Sequence, residues 1–265
     1  MSPVNQPKFS IITVTFNAEK TLENTIQSIL NQSYSNIELI IIDGKSTDGT
    51  IDIIKKHESH IFKWISEPDQ GLYDAMNKGM KLATGDYIWF MNAGDEIYKQ
   101  DTLELISGMC SNQDVFYGEM MLIDGSGKEI GLRSRMTSQK LPKNLTWKSM
   151  RKGMVVGHQS FIIKRSIAPE FDIQYKYSSD IDWMIKCLKI AGEIQNTRLI
   201  LSKFLSNAVL GKFHAGGESK KHLYNSLKER FLIHCKHYGW FTTILYHKFI
   251  ILKASVFYLR RVVSG

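Results

Sequence analysis

Short β-branched apolar runs alternate with stretches of helical spacing through the first part of the chain. Phe9 to Thr15 (FSIITVT) predicts a buried strand ending in Phe16-Asn17. Ala18 to Asn31 then carries Leu22, Ile26, Ile29 and Leu30 at helical spacing, with Asn17 as the expected N-cap. Ile37 to Ile42 predicts a second buried strand, closed by Asp43-Gly44. Ser46 to Thr50 is turn and cap chemistry before a short helix through Lys56, and Ile61 to Ile65 predicts a third strand. After the loop Pro68 to Gly71, residues Leu72, Ala75, Met76, Gly79 and Met80 predict a helix, with Gly85 expected just past its end. Tyr87 to Met91 is apolar throughout, as in a strand buried on both faces, and breaks into Asn92-Ala93-Gly94-Asp95. This alternation places the chain in the α/β class, with a mostly parallel central sheet and flanking helices.

Beyond Asp95 the rhythm changes. The pattern predicts a helix over Asp101 to Cys110, then strands over Val115 to Ile123 and Glu129 to Leu132 joined by the turn Asp124-Gly125-Ser126-Gly127. Lys143 to Lys152 is polar and poorly patterned, and Ser160 to Ile163 predicts another buried strand. Asp180 to Ala191 predicts an amphipathic helix, Phe204 to Phe213 an extended segment, and Lys220 to His237 and Trp240 to Val262 two closing helices. The division expected is residues 1–217 as one α/β domain and 218–265 as a C-terminal helical extension.

Charge sharpens that division. The net charge is +8, and Lys212 to Gly265 alone holds ten Lys/Arg against two Glu, so the rest of the chain is close to neutral. No nucleic-acid motif accompanies the basic segment, so no nucleic-acid partner is expected; an anionic membrane surface suits it better. Phe241, Ile244, Leu245, Phe249, Leu252, Val256 and Leu259 form an apolar stripe in its last helix, but Lys248 and Lys253 argue against a spanning segment. Three well-separated cysteines with no CxxC pair, and a polar N-terminus, point to a reducing cytoplasmic compartment.

In open α/β sheets, ligands bind outside the carboxyl ends of the strands. Phe16-Asn17, Asp43 and Asn92 to Asp95 all occupy such ends. A carboxylate there accepts from a base N–H or a ribose hydroxyl, or holds a divalent cation. Each taken alone is also ordinary turn chemistry; their coincidence favours a binding edge. The glycines form no GxGxxG, and Gly44-Lys45-Ser46 lacks the earlier P-loop glycine, Leu39 standing there.

The segments IITVTFN, IIDGKSTDGT, EPDQGLYDAMNKG and ATGDYIWFMNAGDE together resemble the inverting family 2 glycosyltransferases of GT-A (Rossmann-like) fold. Among these the sequence is similar to bacterial enzymes that extend lipid-linked polysaccharide repeat units. The resemblance implies transfer of one sugar from a nucleotide-sugar, a UDP-sugar, to a hydroxyl of a glycan acceptor. It implies a polyprenyl-diphosphate-linked acceptor and a peripheral place on the inner face of the bacterial plasma membrane. It sets Asp43 against the uracil, Thr15, Phe16 and Asn17 along the nucleotide, and Asp69, Asn92 and Ala93 at the donor. The family's Asp-x-Asp motif is reduced here, with Asn92 and Gly94 at its two aspartates and Asp95 immediately after. Asp95 is thus the expected ligand of Mn²⁺ or Mg²⁺, with Lys and Arg side chains as the alternative charge on the leaving diphosphate.

By the same resemblance Asp180, in Ser179-Asp180-Ile181-Asp182-Trp183, is the general base; capping of the helix is its bland alternative, compatible with the first. Asp182, Trp183 and His158 are acceptor-side candidates, and His214-Ala215-Gly216-Gly217 is the candidate closing loop. Two rival readings remain open. One is a catalytically weak nucleotide-sugar or glycan-binding protein. The other is a sugar nucleotidyltransferase, which ordinarily needs a glycine-rich basic loop that IITVTFNAEK does not supply.

Overall fold

The computed structural model describes residues 6–205 and 222–263. Strand β1 (Phe9–Thr15) is buried along its whole length and lies parallel to β2 (Ile37–Asp43), with Thr15 opposite Asp43. On its other side β1 pairs in parallel with β4 (Tyr87–Phe90), and β2 pairs in parallel with β3 (Lys63–Ser66). Helices α1 (Leu22–Leu30), α2 (Thr50–Lys56) and α3 (Leu72–Leu82) connect them. Alternate residues of β1 enter opposite layers, Ile12 and Val14 packing with Tyr73 and Met76 of α3, Phe9 and Ile11 with Leu22 and Ile26 of α1. Gly79 lets α3 lie directly on β1, since a Cβ there would sit 2.4 Å from a methyl of Ile12.

The parallel pattern ends at β4. Strands β5 (Asp95–Ile97), β6 (Val115–Ile123), β7 (Glu129–Leu132), β8 (Phe161–Lys164) and β9 (Ile194–Leu205) complete a nine-stranded sheet ordered β3-β2-β1-β4-β8-β6-β9-β5, with β7 paired to β6. β8 runs antiparallel to both β4 and β6, so the sheet is mixed, with its parallel part confined to β3-β2-β1-β4 and the β6–β9 pair. Helix α4 (Thr102–Ser107) is shorter than the sequence pattern predicts, and α5 (Arg133–Met136) was not expected. The extended segment begins ten residues earlier than its apolar pattern suggests, at Ile194 rather than Phe204, and 206–213 lie outside the described residues.

Two local expectations are corrected. Asn17 does not cap α1, whose N-cap position is Thr21; it adopts φ 47°, and its side-chain oxygen accepts from the Thr47 amide at 2.9 Å. Gly85 does not close α3 in a left-handed turn. It is required because a Cβ would come within 2.7 Å of the Lys8 carbonyl and the Ser10 hydroxyl. That crowding surrounds Glu38, buried in β2, which accepts from Ser10 Oγ, Thr84 N and Thr84 Oγ1 at 2.6 Å each and pairs with Lys8 Nζ at 2.6 Å. Burial opposes its ionisation, yet Lys8, Ser10 and Thr84 outweigh it and hold the carboxyl down to about 2.

Helix α6 (Ser179–Ile190) carries the candidate base at its start. Trp183 is buried in the core, stacked 4.7 Å from Phe171 and donating to the Pro169 carbonyl. Helix α7 (Leu223–Tyr238) is built into the domain: Ile233 is in the core, and His234 bonds the Met150 carbonyl at 3.0 Å. Helix α8 (Trp240–Val263) instead exposes Phe241, Ile244, Leu245, Phe249 and Leu252. Among the described residues no helix is long and apolar enough to cross a membrane.

Candidate active site

The ends of β1, β2 and β4 lie side by side, as the register of Thr15 with Asp43 requires, and the Ala93 amide bonds the Val14 carbonyl at 3.1 Å. Beside the end of β1 opens a cleft of about 540 Å³ whose walls include Thr15, Phe16, Asp69, Gly71 and Tyr73, closed on the far side by Tyr175, Lys176 and Tyr177. Phe16 stands 64% exposed at the rim, a flat apolar surface of the kind on which a base stacks.

Asp43 does not face this cleft. It is fully buried, and its carboxylate accepts from Ser46 N at 2.9 Å, Ser46 Oγ at 2.5 Å and Ser66 Oγ at 2.6 Å. It holds the Gly44–Ser46 loop, in correction of a direct contact with the base. The carboxylate at the wall is Asp69. Its Oδ1 accepts from the Gly71 amide at 2.8 Å, while Oδ2 lies against Gly44, where a Cβ would meet it at 2.6 Å and Phe16 at 3.3 Å. Asn17 is exposed and ties the two loops, its amide donating to Ser46 Oγ at 2.8 Å.

Deeper in, four side chains form a connected row. Tyr73 donates its hydroxyl to Asp180 Oδ1 at 3.2 Å, Asp180 Oδ2 faces His158 Nδ1 at 3.5 Å, and His158 Nε2 meets Asn92 Nδ2 at 3.3 Å. Burial raises the Asp180 carboxyl, but the His158 bond and charge, with Arg230 beyond, bring it below its ordinary value. It is a carboxylate at neutral pH, the form a base requires. Ser178 is the N-cap position of α6, so Asp180 is not the cap.

The structure therefore joins Asp180, His158 and Asn92, which the sequence proposed separately, and adds the Tyr73 hydroxyl. It separates Asp182 and Trp183 from them. Asp182 is buried on the other side of α6 against Lys186, Lys236 and His237, and Trp183 is core, so neither reaches the acceptor side. His214 lies outside the described residues.

Two buried polar atoms at these strand ends, Thr15 Oγ1 and Asn92 Oδ1, have no hydrogen-bond partner within the protein. Asp95 is not oriented as a cation ligand. It is 3% exposed, with Oδ2 accepting from the Asn92 amide at 3.2 Å and Oδ1 from Gln159 at 3.5 Å. Burial pushes its carboxyl up to about 7, against the charge of His158. Among the described residues no group of three His, Cys, Asp or Glu comes together to hold a metal. A single enclosed carboxylate is a poor fit to the hard, anionic oxygens that Mn²⁺ or Mg²⁺ takes.

A parallel first half, a mixed second half and a cleft at the strand ends are the architecture of the GT-A glycosyltransferases. Residues 10–170 match Glycosyl transferase family 2, and the chain belongs to that family. It is 29% identical over 191 residues to a PGL/p-HBAD biosynthesis glycosyltransferase of Mycobacterium bovis, covering 68% of this chain and 70% of that one. An uncharacterized glycosyltransferase of Haemophilus influenzae is 37% identical over 142 residues, 52% of this chain and 56% of its own. Among solved structures, an S. aureus TarS fragment in complex with UDP-GlcNAc superposes with a TM-score of 0.66 at 18% identity, covering 86% of this chain and 66% of that one. The mannosyltransferase PcManGT of Pyrobaculum calidifontis, in complex with GDP-Man and Mn²⁺, gives 0.57 at 14% identity, over 98% of this chain and 79% of that one. This chain thus spans slightly less than two thirds of the TarS fragment.

Proposed function

We propose that the protein moves one sugar from a UDP-sugar to a hydroxyl of a glycan acceptor in a single inverting displacement. The row Tyr73–Asp180–His158–Asn92 carries this reading, because Tyr73 lines the cleft and holds an ionised carboxylate directly behind it. Asp180 takes the acceptor hydroxyl proton as that oxygen attacks the anomeric carbon, and the bond to the nucleotide diphosphate breaks on the opposite face. Tyr73 and His158 hold the carboxylate in place. Phe16 stacks on the base, Asp69 Oδ2 accepts its N–H, and the unsatisfied Thr15 and Asn92 oxygens accept donor hydroxyls. The Mn²⁺ or Mg²⁺ implied by the family takes no step in this reading, since Asp95 is enclosed.

UDP-GlcNAc bound to a protein of the same fold supports the donor class, and the glycosyltransferase name of the mycobacterial relative supports sugar transfer. The test is nucleotide release from UDP-, GDP- and TDP-sugars in the presence of glycan acceptors, with Mn²⁺ and with EDTA. Release from a UDP-sugar is expected. Tight UDP binding with no release from any donor would replace transfer by the binding-protein alternative.

The acceptor we propose is a polyprenyl-diphosphate-linked saccharide at the cytoplasmic face of a bacterial membrane. Residues 1–217 with the docked helix α7 are the catalytic part, a correction to the division at 217, and α8 brings it to the lipid. In support, α8 presents Trp240, Phe241, Leu245, Phe249 and Leu252 to solvent, beside the chain's basic excess. Sedimentation with vesicles should show binding to anionic lipid that weakens as salt rises. Equal recovery in the supernatant with neutral and anionic vesicles would remove the membrane from the assignment.

A further inference from the structure

Outside the cleft, a second cavity of about 380 Å³ opens between α1 and the segment that runs from β5 to Gln100. It shares no residue with the cleft at Tyr73, and α1 lies on the opposite face of β1 from α3. Five carboxamides enter its lining: Asn24, Gln27, Asn31 and Gln32 from α1 and its end, and Gln100 from the facing segment. Asn24, Gln27 and Asn31 recur at three- and four-residue spacing, so they stand on one face of the helix. Tyr98 adds an aromatic side chain, and Glu96 and Lys99 contribute one charge of each sign.

The walls of this cavity are fixed to one another. Gln32 serves that purpose: its Nε2 donates to the Ser28 carbonyl at 3.0 Å and the Lys99 carbonyl at 2.8 Å, and its Oε1 accepts from the Leu103 amide at 3.2 Å. The Ser33 amide donates to the Gln100 carbonyl at 2.8 Å, and the Ile97 amide to Ser28 Oγ at 3.1 Å. The other carboxamides are left to meet a ligand. Asn24, Asn31 and Gln100 are exposed, and among the described residues their side chains make no hydrogen bond to the protein. Gln27 gives a single N–H bond, to Glu23 at 3.2 Å.

A primary carboxamide carries two donors and an acceptor side by side, so it can answer a hydroxyl that both gives and takes a hydrogen bond. A ligand dense in neutral hydroxyls uses several such groups at once. An ion gains little, because Glu96 and Lys99 leave the lining without net charge. An apolar ligand would strip water from the amides and give no hydrogen bonds in return. The electron-rich face of an aromatic ring such as Tyr98 suits the C–H side of a sugar ring. The volume falls within the range of about 300–1,000 Å³ usual for small-ligand sites. We propose that this cavity is a second carbohydrate-binding site, holding a neutral saccharide apart from the catalytic cleft. The inference rests on the transferase reading only for the source of that saccharide, which is either a remote stretch of the acceptor glycan or a separate glycan chain.

The probe is a printed array of neutral bacterial oligosaccharides, exposed to the full chain in saturating UDP, followed by calorimetry with the best-retained member. Wild type should be retained, and Asn31→Ala and Gln100→Ala should each weaken the titrated affinity about 2- to 10-fold, the range of one lost neutral hydrogen bond. Both side chains are exposed and bond nothing in the described protein, so Tm and UDP affinity should hold in the variants. A rise in KM for a long glycan acceptor, with kcat and the KM of a short acceptor unchanged, assigns the saccharide to the acceptor. Weaker array binding with both KM values unchanged assigns it to a separate glycan chain. No retention of wild type on any neutral oligosaccharide, or equal affinity in all three proteins, overturns the inference. Retention is read without turnover, so a chain that binds saccharide through Asn31 and Gln100 but transfers no sugar would overturn the transferase reading alone.

Discussion

Replacing Asp180 by Asn is expected to lower sugar transfer by roughly two to four orders of magnitude, the contribution of a positioned general base. Asparagine keeps the shape of the side chain and an oxygen for the Tyr73 hydroxyl, 3.2 Å away in the native protein, but does not take a proton at neutral pH. The change should therefore appear in kcat and leave UDP affinity near its original value, because the proposed seat of the base is Phe16 and Asp69, which do not contact Asp180. The pH profile supplies a second readout. Burial disfavours the Asp180 carboxylate, while His158 and Arg230 outweigh that burial and bring its pKa below the ordinary value. Wild-type activity should thus persist on the acid side until the pH drops below the usual carboxylate range, for as long as the fold survives. His158→Ala removes the strongest of the lowering influences and should move that acid limb upward while retaining measurable transfer. Full transfer by a folded Asp180→Asn protein would remove the base from Asp180, and with it the proposed mechanism.

The parts of this site that were legible in the sequence are those in which one segment dictates its own environment. FSIITVT and YIWFM are apolar on both faces, so their burial between two helical layers and the exposure of their polar ends follow from local pattern. Helices α3 and α6 follow from spacing in the same way. Asp43 shows where this logic stops. A carboxylate after a buried strand reads alike whether it faces a ligand or ties a loop, and its deciding partners, Ser46 and Ser66, come from separate turns. The Tyr73–Asp180 contact spans 107 residues and leaves no local trace. Strand β9 was anticipated only at its end, because Arg198 takes a positive φ and the pairing with β6 shifts register near Glu119, breaking the period of two.

Asp182, two residues from the base, should give the opposite result when changed to Asn: a loss of stability with transfer by the folded protein retained. Two positions on a helix differ by about 200°, which turns Asp182 away from the cleft. Its fully buried carboxylate meets His237 Nε2 at 2.7 Å, Lys236 Nζ at 3.2 Å and Lys186 Nζ at 2.5 Å, joining α6 to α7. Lys189 Nζ lies 2.9 Å from the other ring nitrogen of His237, Nδ1, and so steadies the ring against Asp182. Burial opposes ionisation of Asp182, but the bonds from His237 and Lys186 outweigh it and hold the carboxyl well below the usual range. Its folded pKa therefore lies below its unfolded value. The stability it contributes is present above the unfolded pKa, about 3.9, and is lost as pH falls through the folded one. Breaking a fully buried pair costs about 3–5 kcal/mol. Lys186 and Lys236 are partly exposed and can turn to water, so about 2–3 kcal/mol is expected here, or roughly 5–10 °C in Tm for a chain of this size. Scanning calorimetry of both proteins at pH 7 and at successively lower pH checks the size and the sign, since the gap should narrow only below about pH 4. An unchanged Tm at pH 7 with transfer abolished would return Asp182 to the active site and exchange its role with that of Asp180.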